Sequence, residues 1–588
     1  MKRLMDWLDA RTGHRAALVA WLDHPVLGGA SWARAMGAAI VVCLLLLATT
    51  GVGLAMGYSP STQAAWASVH HLEHATATGH WLRALHRAAS NTLVVLAHLH
   101  VLALVVRGAY RKPGELAWAL AVVLVPVVLL ACITGNTLQW DQQAYWARTV
   151  ELNVTQLAPG GRAIARLATG GEARLGNATL TRAYAVHVTI LPVLALAVLW
   201  LRGAMERAHA RAAGGAPWFP SQAFRDLGLA FVALSATALV AWRVGAPLGA
   251  PADPASDFPA RPEWYLLWLF ELRHRMPTSL EMVGPLGVPP LVLALLLGLP
   301  LLDRREGSDA RGPRFRLRAL VPVVLVSLGV ATLTFLPMRR DAMDAVRNRE
   351  LARWDTLAAR ASALAMGGVP PEGPLAMLDR DPDLRGEKLF AGQCATCHVL
   401  EGIGDAEKPS APRLDGWGTE EWILALLHDP DSPERFGNTP YKGEMPSMDT
   451  PKPDRPDAKP LSPTEMKAVA QFLAAQGDEP GDPPLARDRN LLEQGERIVA
   501  DRCTTCHLWK GEGDDGGEGI APELRGYGSI AWTRAQIANP ATPATYRENA
   551  LDPARKGHMP RFDGELSASD LDLLARWTRA RGRKIPLR

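Results

Sequence analysis

Seven apolar runs, each long enough to cross a bilayer as a helix, fill the first 340 residues of this 588-residue chain. They lie at approximately 34–56, 80–107, 116–136, 178–206, 224–245, 284–302 and 317–337. The chain after residue 340 is polar, and the two parts offset each other to a mean hydropathy near zero. Lys2, Arg3, Arg11 and Arg15 precede the first run. Arg107, Arg111 and Lys112 follow the second, Arg202, Arg207 and Arg211 the fourth, and Arg304, Arg305, Arg311, Arg314, Arg316 and Arg318 the sixth. The stretch 57–79 has neither Lys nor Arg. The positive-inside rule then predicts a cytoplasmic N-terminus, and seven spans put everything after residue 340 on the other side. Residues 1–22 read as an amphipathic surface helix within an N-terminal segment 1–30, with no cleavable leader. A net charge of +4 gives no sign of a nucleic-acid partner.

Four of the six cysteines belong to two Cys-x-x-Cys-His motifs, Cys394–His398 and Cys503–His507. In each, two thiols can bond covalently to haem vinyl groups and the histidine becomes the proximal iron ligand. The chain therefore moves electrons. Attachment of such haems outside the bacterial cytoplasm agrees with the charge-based orientation. Cys43 and Cys132 lie in apolar runs and read as small hydrophobes, with no disulfide framework.

The motifs sit in an internal repeat. Gly386-Glu-Lys-Leu-Phe matches Gly495-Glu-Arg-Ile-Val, Ala411-Pro412 matches Ala521-Pro522, and Trp422 matches Trp532. Lys442-Gly-Glu-Met445-Pro matches Lys556-Gly-His-Met559-Pro, which selects Met445 and Met559 as distal ligands, with Met448 the rival in the first repeat. Helices are predicted before each motif and at 465–476 and 567–580. Both repeats resemble small class I cytochromes c. The run 511–518 reads as a solvated loop.

Ionisable residues inside a span are costly and usually functional. His86 and His100 on the second span are 14 residues apart, about 21 Å of rise and close to four turns, so both leave one face at different depths. His98 points elsewhere. His187 on the fourth span can pair with His86 across one haem in a four-helix bundle. Gly37, Gly51 and Gly135 would let a flat macrocycle approach the backbone.

The segments Leu85-His86-Arg87-Ala88-Ala89-Ser90, Gly135-Asn-Thr-Leu-Gln-Trp-Asp-Gln142, Thr179-Leu-Thr-Arg182 and Pro262-Glu263-Trp264-Tyr265 resemble cytochrome b, in that family's order and spacing. The resemblance covers roughly residues 20–340. The stretch Gly135–Ala147 and the Pro-Ala-Asp-Pro before Pro262 are closer to the bf branch. By this resemblance Arg83 would hold a haem propionate, and the loop with Glu263 and Tyr265 would be the outer quinol-oxidising site. A carboxylate in an apolar pocket has a raised pKa that suits proton relay.

The chain also departs from the family. The second ligand position on the fourth span is occupied by Leu201 and Arg202, and the inner glycine of the third span is Ala121. Three readings follow for a second b haem at His100: it is absent, it is held by His100 alone, or it is held by His100 with Met205 or His209. The extra thioether-linked haem of the bf branch is not expected, because its cysteine position is Ala35.

The fold expected is mainly α: a seven-span bundle followed by two small all-α cytochrome c domains. The predicted boundaries are 31–212 for the haem bundle, 213–340 for three further spans, 341–379 for a helical linker, and 380–480 and 485–588 for the c domains. The resemblance implies a quinol–cytochrome c oxidoreductase subunit. Its cofactors would be two c haems and at least one b haem, with quinol as substrate. Its partners would be a separate Rieske protein, the quinone pool, and a soluble cytochrome or terminal oxidase, within a dimeric complex of the bacterial inner membrane. The alternatives are a non-catalytic dihaem conduit anchored in the membrane and an electron-transfer subunit of a larger reductase.

Overall fold

The computed structural model describes residues 2–277, 280, 282–302, 313–405, 407, 409–450, 459–513, 521–546 and 559–587, with the backbone alone at 313–319. Arg304, Arg305 and Arg311, most of the 511–518 run, and Lys556, Gly557 and His558 lie outside the described residues.

Among the described residues, seven helices are long and apolar enough to cross a membrane: α1 (Trp32–Ala55), α2 (Gly79–Arg107), α3 (Glu115–Thr137), α4 (Asn177–Ala212), α5 (Ser221–Val244), α6 (Val283–Leu302) and α7 (Leu320–Met343). Each matches one predicted run, because an uninterrupted apolar stretch must satisfy its backbone within itself. The chain is a membrane protein with a mainly helical fold. α2 packs against α1, α3 and α5, while α4 packs against α3. The core between them is aliphatic, with Ile40, Leu93, Leu124, Val128 and Leu191 buried. Outward-facing Leu45, Val52, Val193, Trp200 and Phe231 stay exposed, which is the surface that lipid requires.

The N-terminal segment differs from the single helix predicted. It forms two helices, Lys2–Thr12 and His14–Leu22, separated at Gly13, whose φ of 60° is left-handed. Glycine takes that conformation without a Cβ penalty, so the chain turns there. A two-residue antiparallel pairing of Pro25–Val26 with Ala216–Pro217 then ties the start of α1 to the α4–α5 connection.

Two compact units divide at residue 377/378. In the second unit the helices are α8 (Pro382–Gln393), α9 (Glu420–His428), α10 (Pro463–Gln476), α11 (Arg489–Ile498), α12 (Ile530–Ala538) and α13 (Ala568–Arg583). Polar side chains cap all six: Asp381, Thr419, Ser462, Asp488, Ser529 and Ser567 each accept from a first-turn N–H. The packing follows the two sequence repeats only in part, because the helix before each motif packs on the closing helix of the other repeat. The pairs in contact are α8 with α13, and α10 with α11, as well as α9 with α10 and α12 with α13. One reason is the short link from Gln476 to Arg489, since helices consecutive in sequence tend to be neighbours in space. Arg487 fixes that link by donating to Gln471 O (2.9 Å) and Asp478 (2.7 Å).

Candidate functional site

His86 on α2 and His187 on α4 open into one cavity of about 350 Å³ lined by α1, α2, α3 and α4. Their ring centroids are 6.1 Å apart. Two metal–imidazole bonds of about 2 Å each, plus the step from each nitrogen to its ring centre, fill that gap. The remaining ring nitrogens set the orientation. His86 Nδ1–H donates to Thr50 Oγ1 (2.9 Å), whose own proton goes to Leu46 O (2.7 Å). His187 Nδ1–H donates to Ala131 O at 3.0 Å, beside Thr134 Oγ1 at 3.3 Å. Each Nε2 is thereby left for a ligand. A Cβ at Gly51 would meet His86 Cε1 at 3.2 Å, and one at Gly135 would meet His187 Cε1 at 2.6 Å. Both helices come this close only because these positions lack a side chain. The residues present fit a bis-imidazole haem.

Thr50 and Thr134 escaped the reading of the sequence. The signal was there: each precedes a cavity glycine, giving a Thr-Gly pair on α1 and another on α3. His187 itself lies in a π turn, Val186–Ile190, inside α4. Such one-turn insertions recur at functional sites and shift the residues that follow around the helix.

Glu263 and Tyr265 line the same cavity, as do Arg83, Arg87 and Asn136. The loop that carries them is held from below by Asp141, which accepts from Ala144 N (2.8 Å) and Gly249 N (3.0 Å). Ala252 N donates to Trp140 O (3.1 Å), and Gln143 reaches Arg261 O. Trp264 Nε1–H donates to Asn91 Oδ1 at 2.7 Å, fixing the loop to α2. Burial holds the Glu263 carboxyl above the ordinary carboxylate range, against the pull of Arg87. Burial likewise raises the Tyr265 phenol, which stays protonated. Arg83 is buried and pairs with Glu73. His98 is exposed on α2, with Nδ1 at 2.7 Å from Val94 O.

In the second unit, His398 Nδ1–H donates to Pro412 O (2.8 Å) and His507 Nδ1–H to Pro522 O (2.9 Å). Burial lowers both imidazole pKa values, which favours the neutral ring and leaves Nε2 as the atom that could bind iron. Cys394, Cys397, Cys503 and Cys506 form no disulfide. Met559 packs on the same apolar cluster as Cys394, whereas Met445 and Met448 pack on the cluster that holds Cys503.

Residues 23–207 match the family model described as cytochrome b/b6/petB, and residues 384–476 and 492–580 each match cytochrome c. Cytochrome b of Mycosarcoma maydis is 31% identical over 310 residues, covering 50% of this chain and 77% of that protein. The chain belongs to the cytochrome b family. Cytochrome b6 of Synechococcus sp. (strain JA-3-3Ab) is also 31% identical, over 35% of this chain and 96% of its own length. A solved structure titled "Hyperthermophilic respiratory Complex III" shares the fold, with a TM-score of 0.50 at 22% identity, over 62% of this chain and 96% of its own. As a cytochrome b joined to two cytochrome c domains, the chain uses b-type and c-type haems.

The other end of the bundle has a different set of residues. His100 is buried, and neither ring nitrogen has a hydrogen-bond partner among the described residues. Gly37 faces it, with a Cβ position 4.0 Å from Cε1. Opposite stands Arg202, also buried and paired with Glu206 Oε1 at 2.6 Å. A guanidinium has no lone pair to give iron. The space around His100 is a cavity of about 160 Å³, ringed by Arg34, Arg107, Arg202 and Arg207. Neither Met205 nor His209 lines it. Ala121, where the family's glycine would be, is buried with Val101, Tyr110 and Trp118. These residues do not fit a second haem between two axial side chains.

Proposed function

We propose that this chain is the quinol-oxidising subunit of a bc-type complex, with quinol entering the outer cavity on the side of Glu263. The shared cavity carries this reading: Glu263 and Tyr265 line the space that His86 and His187 enter. A b-type haem between those histidines would supply a one-electron acceptor there. Glu263 accepts a proton from a quinol hydroxyl, and its raised pKa brings it nearer the proton's own affinity. Tyr265, protonated and buried beside it, donates a hydrogen bond that orients the ring. Arg87 and Asn136 steady the carboxylate once it is charged.

The other electron passes to a separate Rieske protein, since no cysteine–histidine pattern in this sequence suits an iron–sulfur cluster. The fused c haems then collect electrons for a soluble cytochrome or a terminal oxidase. Arginine at 202 supports a single b haem, which removes the usual inward electron path and alters the quinone cycle. The distribution of Lys and Arg supports a bacterial inner membrane with the N-terminus cytoplasmic and the c domains periplasmic. A dimeric complex is part of the same reading.

Glu263→Gln is the direct test. Quinol-dependent reduction of the c haems should collapse while haem content stays unchanged. Unaltered turnover would leave the chain a mere electron conduit.

A further inference from the structure

We infer that the two c-type centres are built across the sequence repeats, with His398 facing Met559 and His507 facing Met445, so that neither repeat holds a complete centre. This rests on the reading that both Cys-x-x-Cys-His motifs carry haem.

The exchange shows first in the helices. Gly386 on α8 lies against Trp577 on α13, where a Cβ would fall 2.3 Å from the indole. Gly495 on α11 lies against Phe472 on α10, where a Cβ would fall 2.6 Å from Phe472 Cβ. Gly386 and Gly495 are counterparts in the repeat. So are Phe472 and Trp577, which follow their N-cap serines, Ser462 and Ser567, at the same spacing. Each motif-bearing helix thus seats its glycine on the aromatic of the other repeat. Polar contacts close both seams: Trp577 Nε1–H donates to Asp383 (3.0 Å), Arg385 pairs with Asp570 (2.6 Å), and Asp488 N–H donates to Gln471 Oε1 (3.0 Å).

The methionines follow their helices. Met559, held by Gln536 Nε2–H at 3.4 Å from its sulfur, packs on the cluster of Phe390, Leu400 and Trp577 beside Cys394. Met445 packs on the cluster of Leu427, Phe472 and Val499 beside Cys503. Met448 shares that cluster, but Met445 is the counterpart of Met559. Between motif and closing helix each repeat passes through a Gly-aromatic-Gly turn, and the two turns meet: Trp417 and Tyr527 are 5.8 Å apart, and Gly418 lies against Gly528. Contact between matching residues is what a pseudo-twofold crossover produces. A thioether opposite histidine supports a high potential, so each repeat would tune the other's haem.

The test uses the full-length, haem-loaded chain in its membrane. In the Cys503→Ala/Cys506→Ala background one covalent haem remains, on Cys394 and Cys397. The methionine–iron charge-transfer band of the ferric protein reports its distal ligand. Met559→Ala should abolish that band and Met445→Ala should leave it intact. The reverse result would overturn the exchange. Because the double cysteine variant can fail to accumulate, a protease site placed after Leu485 in the otherwise unaltered chain gives a second measurement. After cleavage the C-terminal fragment should stay with the membrane until denaturant is added, and release under native conditions would overturn the exchange. Absence of covalent haem from both motifs of the unaltered chain would instead sink the haem reading itself, and the inference with it.

Discussion

Burial in its loop raises the proton affinity of the Glu263 carboxyl, while Arg87 and Asn136 pull it back down. Its proton affinity is raised by burial, so the proton-accepting form is lost as pH falls through a midpoint above the ordinary glutamate value of about 4.3. Quinol oxidation should therefore decline on acidification with that midpoint, and Glu263→Gln should both flatten the profile and lower turnover by about 100-fold or more. Steady-state rates across a pH series, with haem content held as the control, check both. At this scale the sequence pointed to the cavity. His86 and His187, ionisable residues inside apolar spans, and Glu263 and Tyr265 in the loop motif all line one space. Thr50 and Thr134 were not seen because a hydroxyl inside a span can usually satisfy itself on its own helix. Only the structure shows that theirs also turn toward the imidazoles.

Helices set what those residues can reach. Gly135 lets α3 approach His187, so Gly135→Ala, whose Cβ would lie 2.6 Å from the ring, must displace the ligand. The expected outcome is loss of the b-haem absorbance band with the c-haem band retained, read in one reduced-minus-oxidised spectrum. Asp141 caps the helix Gln142–Gln156 and also holds Gly249. Asp141→Ala should cost about 1–2 kcal/mol, seen as a lower melting temperature, while Asp141→Asn should retain much of the cap. Element boundaries were readable where long apolar runs fixed them. The π turn at Val186–Ile190 was not, since one extra residue in a turn leaves the composition of α4 unchanged. Gly13 was readable in principle: a glycine amid a charged amphipathic run marks a break, and the helix does break there.

For the whole molecule, cofactor count is the quantity that separates the readings. One b haem per two c haems is expected, because Arg202 fills the inner ligand position and the His100 cavity is small. Pyridine haemochrome spectra of the purified protein give the ratio, and two b per two c would mean that His100 holds iron after all. The seven spans and the paired c motifs were legible because each is a pattern within one stretch of chain. The crossed packing of α8 on α13 and α11 on α10 was not. Two similar repeats present the same apolar faces whether each closes on itself or on its twin, so the pattern of either repeat alone does not choose between them.

That crossed packing also imposes an order on biosynthesis. Asp383 and Trp577, which bond across the first seam, are 194 positions apart. The α8 seam cannot close before Trp577 has been made, so the first Cys-x-x-Cys-His motif is translated well ahead of the helix that packs beside it. A ribosome that stalls after the first repeat would leave a product whose glycine seat on α8 is bare. For α8, the arrival of α13 thus marks that the second repeat has been made.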